Sequence, residues 1–390
     1  MKKFKSLFLA AVAVVTFSLT SCNNDDILYV GTEGELGQLT IRLSGAESTR
    51  LIQAPGQAVA VELDNAYAFI VNATGGVIEY HALNVAGGAG SVVGSGTGQT
   101  INDIPSSARV FVVGNVPAAF NPAAFTTLNA IQRGVQNITA YDTATHLDAP
   151  VANVAGAVAL TAPAVATDPH TVNIQVSPVI ARLELHGVRA SDDYVNVYAA
   201  DGTTVVHQAR ITGFQVTGVF VDDFHPQFTW GAGRAGTMFQ IGTATNPVTV
   251  TGQLAMMHDV GMWDNAAAAG GWLTARPGAT TVWAYNVPAT GLPRLVIRLA
   301  NITYRLDSDD AGDDDRSFQD GGAMFVTIEG FTGVSAFQRG NIYRVGAANG
   351  LTFNINHLTN TPNPTDVQLT ATVQILPWVL QDLNDVVLAD

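Results

Sequence analysis

Cys22 is the one cysteine in a chain of 390 residues, and its setting gives the thiol a use. Lys2, Lys3 and Lys5 form a positive start, and Leu7 to Phe17 an apolar run too short for a stop-transfer helix. Leu19-Thr20-Ser21-Cys22 then reads as a lipobox, where the sulfur takes up lipid and the chain is cleaved. Residues 1–21 are expected to be a signal peptide and Cys22 the lipidation site, leaving no thiol for disulfides. A buried or redox cysteine is the competing reading, and a position directly behind an apolar segment argues against it.

Other groupings are weaker. Asp307, Asp309, Gly312, Asp313 and Asp315 approach an EF-hand loop, with carboxylates at alternate positions and glycine at the sixth. Ala311 stands at the fifth position and Phe318 at the twelfth, where calcium needs oxygen, so a solvated acidic loop is expected. The histidines show no zinc spacing, Gly94-Ser95-Gly96-Thr97-Gly98 lacks the lysine of a phosphate loop, and no G-x-S-x-G elbow occurs. No metal, no cofactor and no enzymatic activity are expected. Trp230, Trp263, Trp272 and Trp283 have the rings to stack on sugars, although such residues more often fill cores.

The net charge of −14 argues against nucleic acid and against anionic membranes as partners. Every lysine lies in the first five residues, and beyond Cys22 all basic residues are arginine or histidine. No lysine isopeptide can link mature copies, and a lysine-specific protease finds no target where an arginine-specific one does.

The elements around these residues read as strands. Charged residues make up 13% of the chain, and alternation runs between Gly, Pro and Asn punctuation. Leu39-Ile41-Leu43, Val59-Val61-Leu63, Val172-Ile174-Val176 and Val367-Leu369-Ala371-Val373-Ile375 alternate; Tyr67 to Val71 and Arg109 to Val113 read as strands buried on both faces. One short helix is expected over Pro122 to Ile131. The pattern predicts an all-β chain of two antiparallel β-sandwich domains with few short helices, divided near Pro178.

Three stretches resemble the fimbrillins, the major-fimbrium (type V pilus) subunits of Gram-negative gut and oral anaerobes. They are Gly37-Gln38-Leu39-Thr40-Ile41-Arg42-Leu43, ending at Ser48-Thr49-Arg50; Val176 to Leu185; and Arg339-Gly340-Asn341-Ile342-Tyr343-Arg344 with Phe353-Asn354-Ile355-Asn356 and Val367 to Trp378. Ser177-Pro178 departs from the basic residue usual before the second stretch, and Ser191 to Arg294 matches weakly. The resemblance implies two transthyretin-like domains and a precursor lipidated at the outer membrane. An arginine-specific protease would cut between Arg50 and Leu51 and remove the strand of Leu39, Ile41 and Leu43. A C-terminal donor strand of another copy, anchored by Val379, Leu383, Val386 and Val387, would then fill the groove.

The expected organisation is therefore a signal peptide at 1–21, a lipidated propeptide at 22–50, an N-terminal β-sandwich at 51–177 and a C-terminal one at 178–390. The expected function is that of a fimbrial shaft subunit supporting adhesion, moving from the outer membrane to the cell-surface fimbria. Its partners would be further copies, the protease, and accessory tip and anchor subunits. The alternatives are a monomeric glycan-binding surface lipoprotein, or a fimbrial tip or anchor subunit. A C-terminal strand that completes its own sheet competes with the donor role.

Overall fold

Runs rich in Val, Ile, Thr and aromatic residues, broken by Gly, Pro and Asn, form strands almost throughout. The structure is a computed structural model. It describes residues 36–45, 59–86, 89–93, 97–141, 148–238, 258–264, 272–273, 282–308, 315–318, 322–347, 350–362 and 369–380. All of these lie in one compact unit, Glu33–Asp390.

The first ten strands are β1 (Leu36–Gly45), β2 (Val59–Val61), β3 (Ala66–Val71), β4 (Val77–Ala82), β5 (Gln99–Pro105), β6 (Arg109–Gly114), β7 (Val135–Asn137), β8 (Val151–Asn153), β9 (Val158–Ala159) and β10 (His170–Pro178). Then come β11 (Ile180–Leu185), β12 (Val188–Ala190), β13 (Val195–Tyr198), β14 (Val205–Asp222), β15 (Gln227–Thr229), β16 (Arg234–Ala235), β17 (His258–Asp264) and β18 (Trp272–Leu273). The last are β19 (Trp283–Pro288), β20 (Arg294–Leu306), β21 (Arg316–Ser317), β22 (Met324–Phe331), β23 (Asn341–Val345), β24 (Leu351–Phe353), β25 (Leu369–Ala371) and β26 (Val373–Leu380).

Where one short helix is expected, a 3₁₀ turn (Pro122–Ala124) and α1 (Leu128–Gln132) stand apart. Each starts on its own cap: the Asn121 side chain accepts from the Ala123 N–H ahead of the turn, and Thr127 Oγ1, between the two, accepts from the Ala130 N–H at 3.1 Å. Phe125, between them, is extended.

An eight-stranded sheet takes the order β4-β3-β6-β8-β10-β1-β5, with β9 on β6. Its outer strands meet through one side chain. Gln99 at the start of β5 donates from Nε2 to Ala82 O at the end of β4, and its Oε1 accepts from the Asn84 N–H. The sheet packs on a core of Leu39, Ile41, Phe69, Phe111, Val172 and Ile174, among others.

A five-stranded sheet (β19-β11-β23-β26-β2) and a seven-stranded one (β13-β14-β20-β22-β25, with β17 and β21) enclose a second core that includes Leu183, Phe214, Trp283, Tyr285 and Val326. Two three-stranded sheets, β18-β12-β24 and β16-β15-β7, complete the described residues. Parallel pairs occur in β1–β10, β11–β23, β12–β24, β22–β25 and β2–β26; the other ladders are antiparallel.

The five-stranded sheet serves both cores. Ile180, Ile342 and Leu376 belong to the first, while Leu183, Tyr343 and Ile375, on the same three strands, belong to or pack on the second. Val179 alone separates β10 from β11, so the chain passes from one sheet to the next almost without a break at Pro178.

Candidate functional site

The site is the seat of β1. This strand lies inside a sheet: Leu39 to Gly45 run parallel to β10, opposite His170 to Val176. On the other flank it runs antiparallel to β5, Leu36 opposite Pro105 and Ile41 opposite Gln99, with an irregularity between Gly37 and Leu39. Leu39 and Ile41 are 0% exposed and Leu43 is 7% exposed, so the alternating aliphatics point into the core. Arg42 and Ser44, one residue out of phase, are exposed.

Smaller contacts fix the register. Thr40 Oγ1 lies 3.2 Å from Thr100 Oγ1 across the β5 seam. The Leu43 N–H donates to Val92 O at 2.7 Å, and Arg42 Nη2 donates to Thr97 O at 3.3 Å. Gly98 has φ +86°, and a Cβ there would stand 2.7 Å from both Ile41 O and Thr40 Cγ2. Only glycine lets that loop close on β1.

The C-terminal strand converges on the same core, where Leu376 joins Leu39, Ile41 and Leu43. β26 pairs with β23 from Val373 to Pro377, and then with β2, Val379 opposite Ala60. Val379 thus sits in a strand paired within its own chain. Leu383, Val386 and Val387 lie outside the described residues, as do Cys22, Arg50 and Leu51.

A part-buried arginine and a buried ion cluster support this arrangement. Arg339 donates to four main-chain carbonyls: Ser177 at 2.9 Å, Ala152 at 3.0 Å, Pro178 at 3.2 Å and Asn153 at 3.3 Å. Burial lowers its guanidinium to about 10, still charged at neutral pH. It pins the turn before β23 to the ends of β8 and β10, the latter being the flank that holds β1. On β11, Glu184 accepts from Arg182 Nε at 2.8 Å, from Arg344 Nε at 2.9 Å and from His186 Nε2 at 2.9 Å. Burial would raise this carboxyl, but the His186 hydrogen bond and the charges of Arg182 and Arg344 outweigh it and hold it at about 2.

The sequence reading passes over both. Arg182, Glu184 and His186 alternate with Ala181, Leu183 and Leu185, which ordinarily marks a solvent face; here Arg182 and Glu184 are buried. Trp230 and Trp283 are fully buried in the first and second cores, so neither offers a face to a sugar. Trp230 meets Phe120 and Phe228 edge-on, at 5.9 and 5.8 Å. Of the acidic loop, Asp315 pairs with Arg305 at 2.8 Å, and Asp309, Gly312 and Asp313 lie outside the described residues.

The described residues form an all-β protein of mixed sheets with the first described strand held inside one of them. The course of the chain is similar to several solved structures. One is a proposed cell adhesion protein from Bacteroides eggerthii, at 15% identity and TM-score 0.49, over 90% of this chain and 99% of that one. Another is a proposed cell adhesion protein from Parabacteroides distasonis, at 11% identity and TM-score 0.47, over 88% and 100%. A fimbrilin from Porphyromonas gingivalis is similar at 13% identity and TM-score 0.45, over 89% and 99%. No family model and no curated protein matches the sequence.

Proposed function

We propose that this chain is the structural subunit of a cell-surface fimbria, exported as a lipoprotein precursor and polymerised by exchange of β1 for a strand of another copy. One observation carries the reading. The first strand of the described chain is an inner strand of its sheet, with three alternate aliphatic side chains in the core. Taking it away would leave facing edges on β10 and β5 above an apolar trough, a template for strand addition. Cys22 would carry the lipid, cleavage would follow Arg50, and the donor would come from the chain around and beyond Val379. The division into a sandwich at 51–177 and one at 178–390 is part of the same proposal. Further copies, the protease, and tip and anchor subunits are its partners.

Treating the purified precursor with an arginine-specific protease tests this. A ladder on a non-reducing gel loaded without boiling, with Leu51 at the new N-terminus, is expected. Subunits in assembled fibres that still begin at lipidated Cys22 would contradict it. A sugar-dependent change in tryptophan fluorescence in an uncut monomer would favour the glycan-binding alternative.

A further inference from the structure

Among the described residues, the hydrogen bonds that seat β1 run to β5, to β10, or to the loop residues Val92 and Thr97, and its aliphatic side chains pack in the first core with Leu376 of β26. A broken peptide bond in the connection 46–58 removes none of them. Leu39, Ile41 and Leu43 would stay in the core, and the ladders to His170–Val176 and Gln99–Pro105 would stay closed.

We infer that cutting this connection does not expel β1: cleavage and release are separate events, and the severed strand is a non-covalent ligand of its own groove. The inference rests on the reading that the chain is cut behind this strand. The ligand the groove takes is an extended peptide with aliphatic side chains at three alternate positions, as in the ten residues Leu36–Gly45. Emptying the groove into water would expose Val172, Ile174 and Ile101 together with two unpaired strand edges. A subunit that keeps its severed strand never passes through that state, and anything attached to the N-terminus stays with the body until a replacement arrives.

The geometry also sets where replacement starts. The β5 ladder ends with Ile41 opposite Gln99. From Arg42 to Gly45 the main chain is held by β10 and, on the other side among the described residues, by the Leu43 N–H bond to Val92 O. An incoming strand gains its foothold at this half-paired end, next to the cut, and displaces β1 towards Leu36.

The test uses the full chain in detergent, with a site for a sequence-specific protease placed between Gly45 and Val59. After cutting, the N-terminal piece is expected to co-elute with the body in size exclusion, and to leave only in denaturant. A body that stays folded by circular dichroism yet elutes without the piece overturns the inference. A labelled synthetic peptide of Leu36–Gly45 should exchange into the cut protein and not into the uncut one. The same peptide with Ile41→Asp should compete roughly a hundredfold less well, since the aliphatic burial is lost. Equal uptake of both peptides would also overturn it. Because substitutions are made in the peptide, folding of the protein is untouched. Fibre growth is scored separately: a cut chain that retains its strand but never joins other copies sinks only the fimbrial reading. One that sheds the strand on cutting and still polymerises sinks only this inference.

Discussion

Arg339 Nη2 donates to Ser177 O at 2.9 Å, joining the turn before β23 to the end of β10 across 162 positions of sequence. The guanidinium meets four carbonyls, so its charge is balanced by main-chain dipoles at the ends of two strands. Arg339→Met keeps the length and removes every donor. It should cost about 3 kcal/mol, read as a lower denaturant midpoint at unchanged slope, with β10 and β8 amides losing hydrogen-exchange protection first. A loss of less than about 0.5 kcal/mol would show that water replaces the guanidinium freely.

Glu184 gives the molecule an acid limb. Its carboxyl is held at about 2 in the folded chain, against an ordinary value of 4.5. The folded state thus binds fewer protons between these values. The contribution is fully present above about pH 4.5 and is lost as pH falls towards 2. The shift corresponds to about 3 kcal/mol as an upper figure. Glu184→Gln should flatten the stability profile across that window; an unchanged acid limb would assign it to other carboxylates.

Gly98→Ala tests the close approach of the loop to β1. A side chain at φ +86°, 2.7 Å from Ile41 O, forces the loop away from the strand. The expected cost is about 1–3 kcal/mol, with faster exchange of the β1 amides. The same substitution at Gly202, where nothing lies within 4 Å, is the control for backbone strain alone.

Truncation separates the two parts of the C-terminal region. Removing Gln381 to Asp390 leaves every described pairing of β26 intact, so the chain should fold and be cut as before. Removing everything from Val373 strips β23 of one of its two neighbours and takes Leu376 from the first core, and should unfold the chain. If the shorter deletion abolishes polymerisation, the donor anchors lie beyond Leu380; if fibres still form, they lie in β26 or elsewhere.

Much of this is readable from spacing. Leu39-Ile41-Leu43 and Val172-Ile174-Val176 announce half-buried strands, and Tyr67 to Val71 and Arg109 to Val113 announce buried ones, because period-two patterning is a local property. Partners are not local. Nothing in Phe228-Thr229-Trp230 says that this segment, pairing through β15 with β7, returns to fill the first core. Alternation on β11 distinguishes two faces without saying what covers the polar one, so the Glu184 cluster reads as solvated. Arg339 is visible only as a residue before a glycine, since its four acceptors belong to main chain more than 160 positions away.

The sheet that faces both cores also guards against mispairing. On β23, Ile342 points to one core and Tyr343 to the other, where its ring stacks on Phe337 at 4.0 Å. A slip of one residue would drive the phenol ring into a space shaped for isoleucine and leave a void beside Phe337. In a sheet with one wet face such an error is opposed from one side. Here it is opposed from both, so β23 has one alignment between β11 and β26 that satisfies the two cores at once.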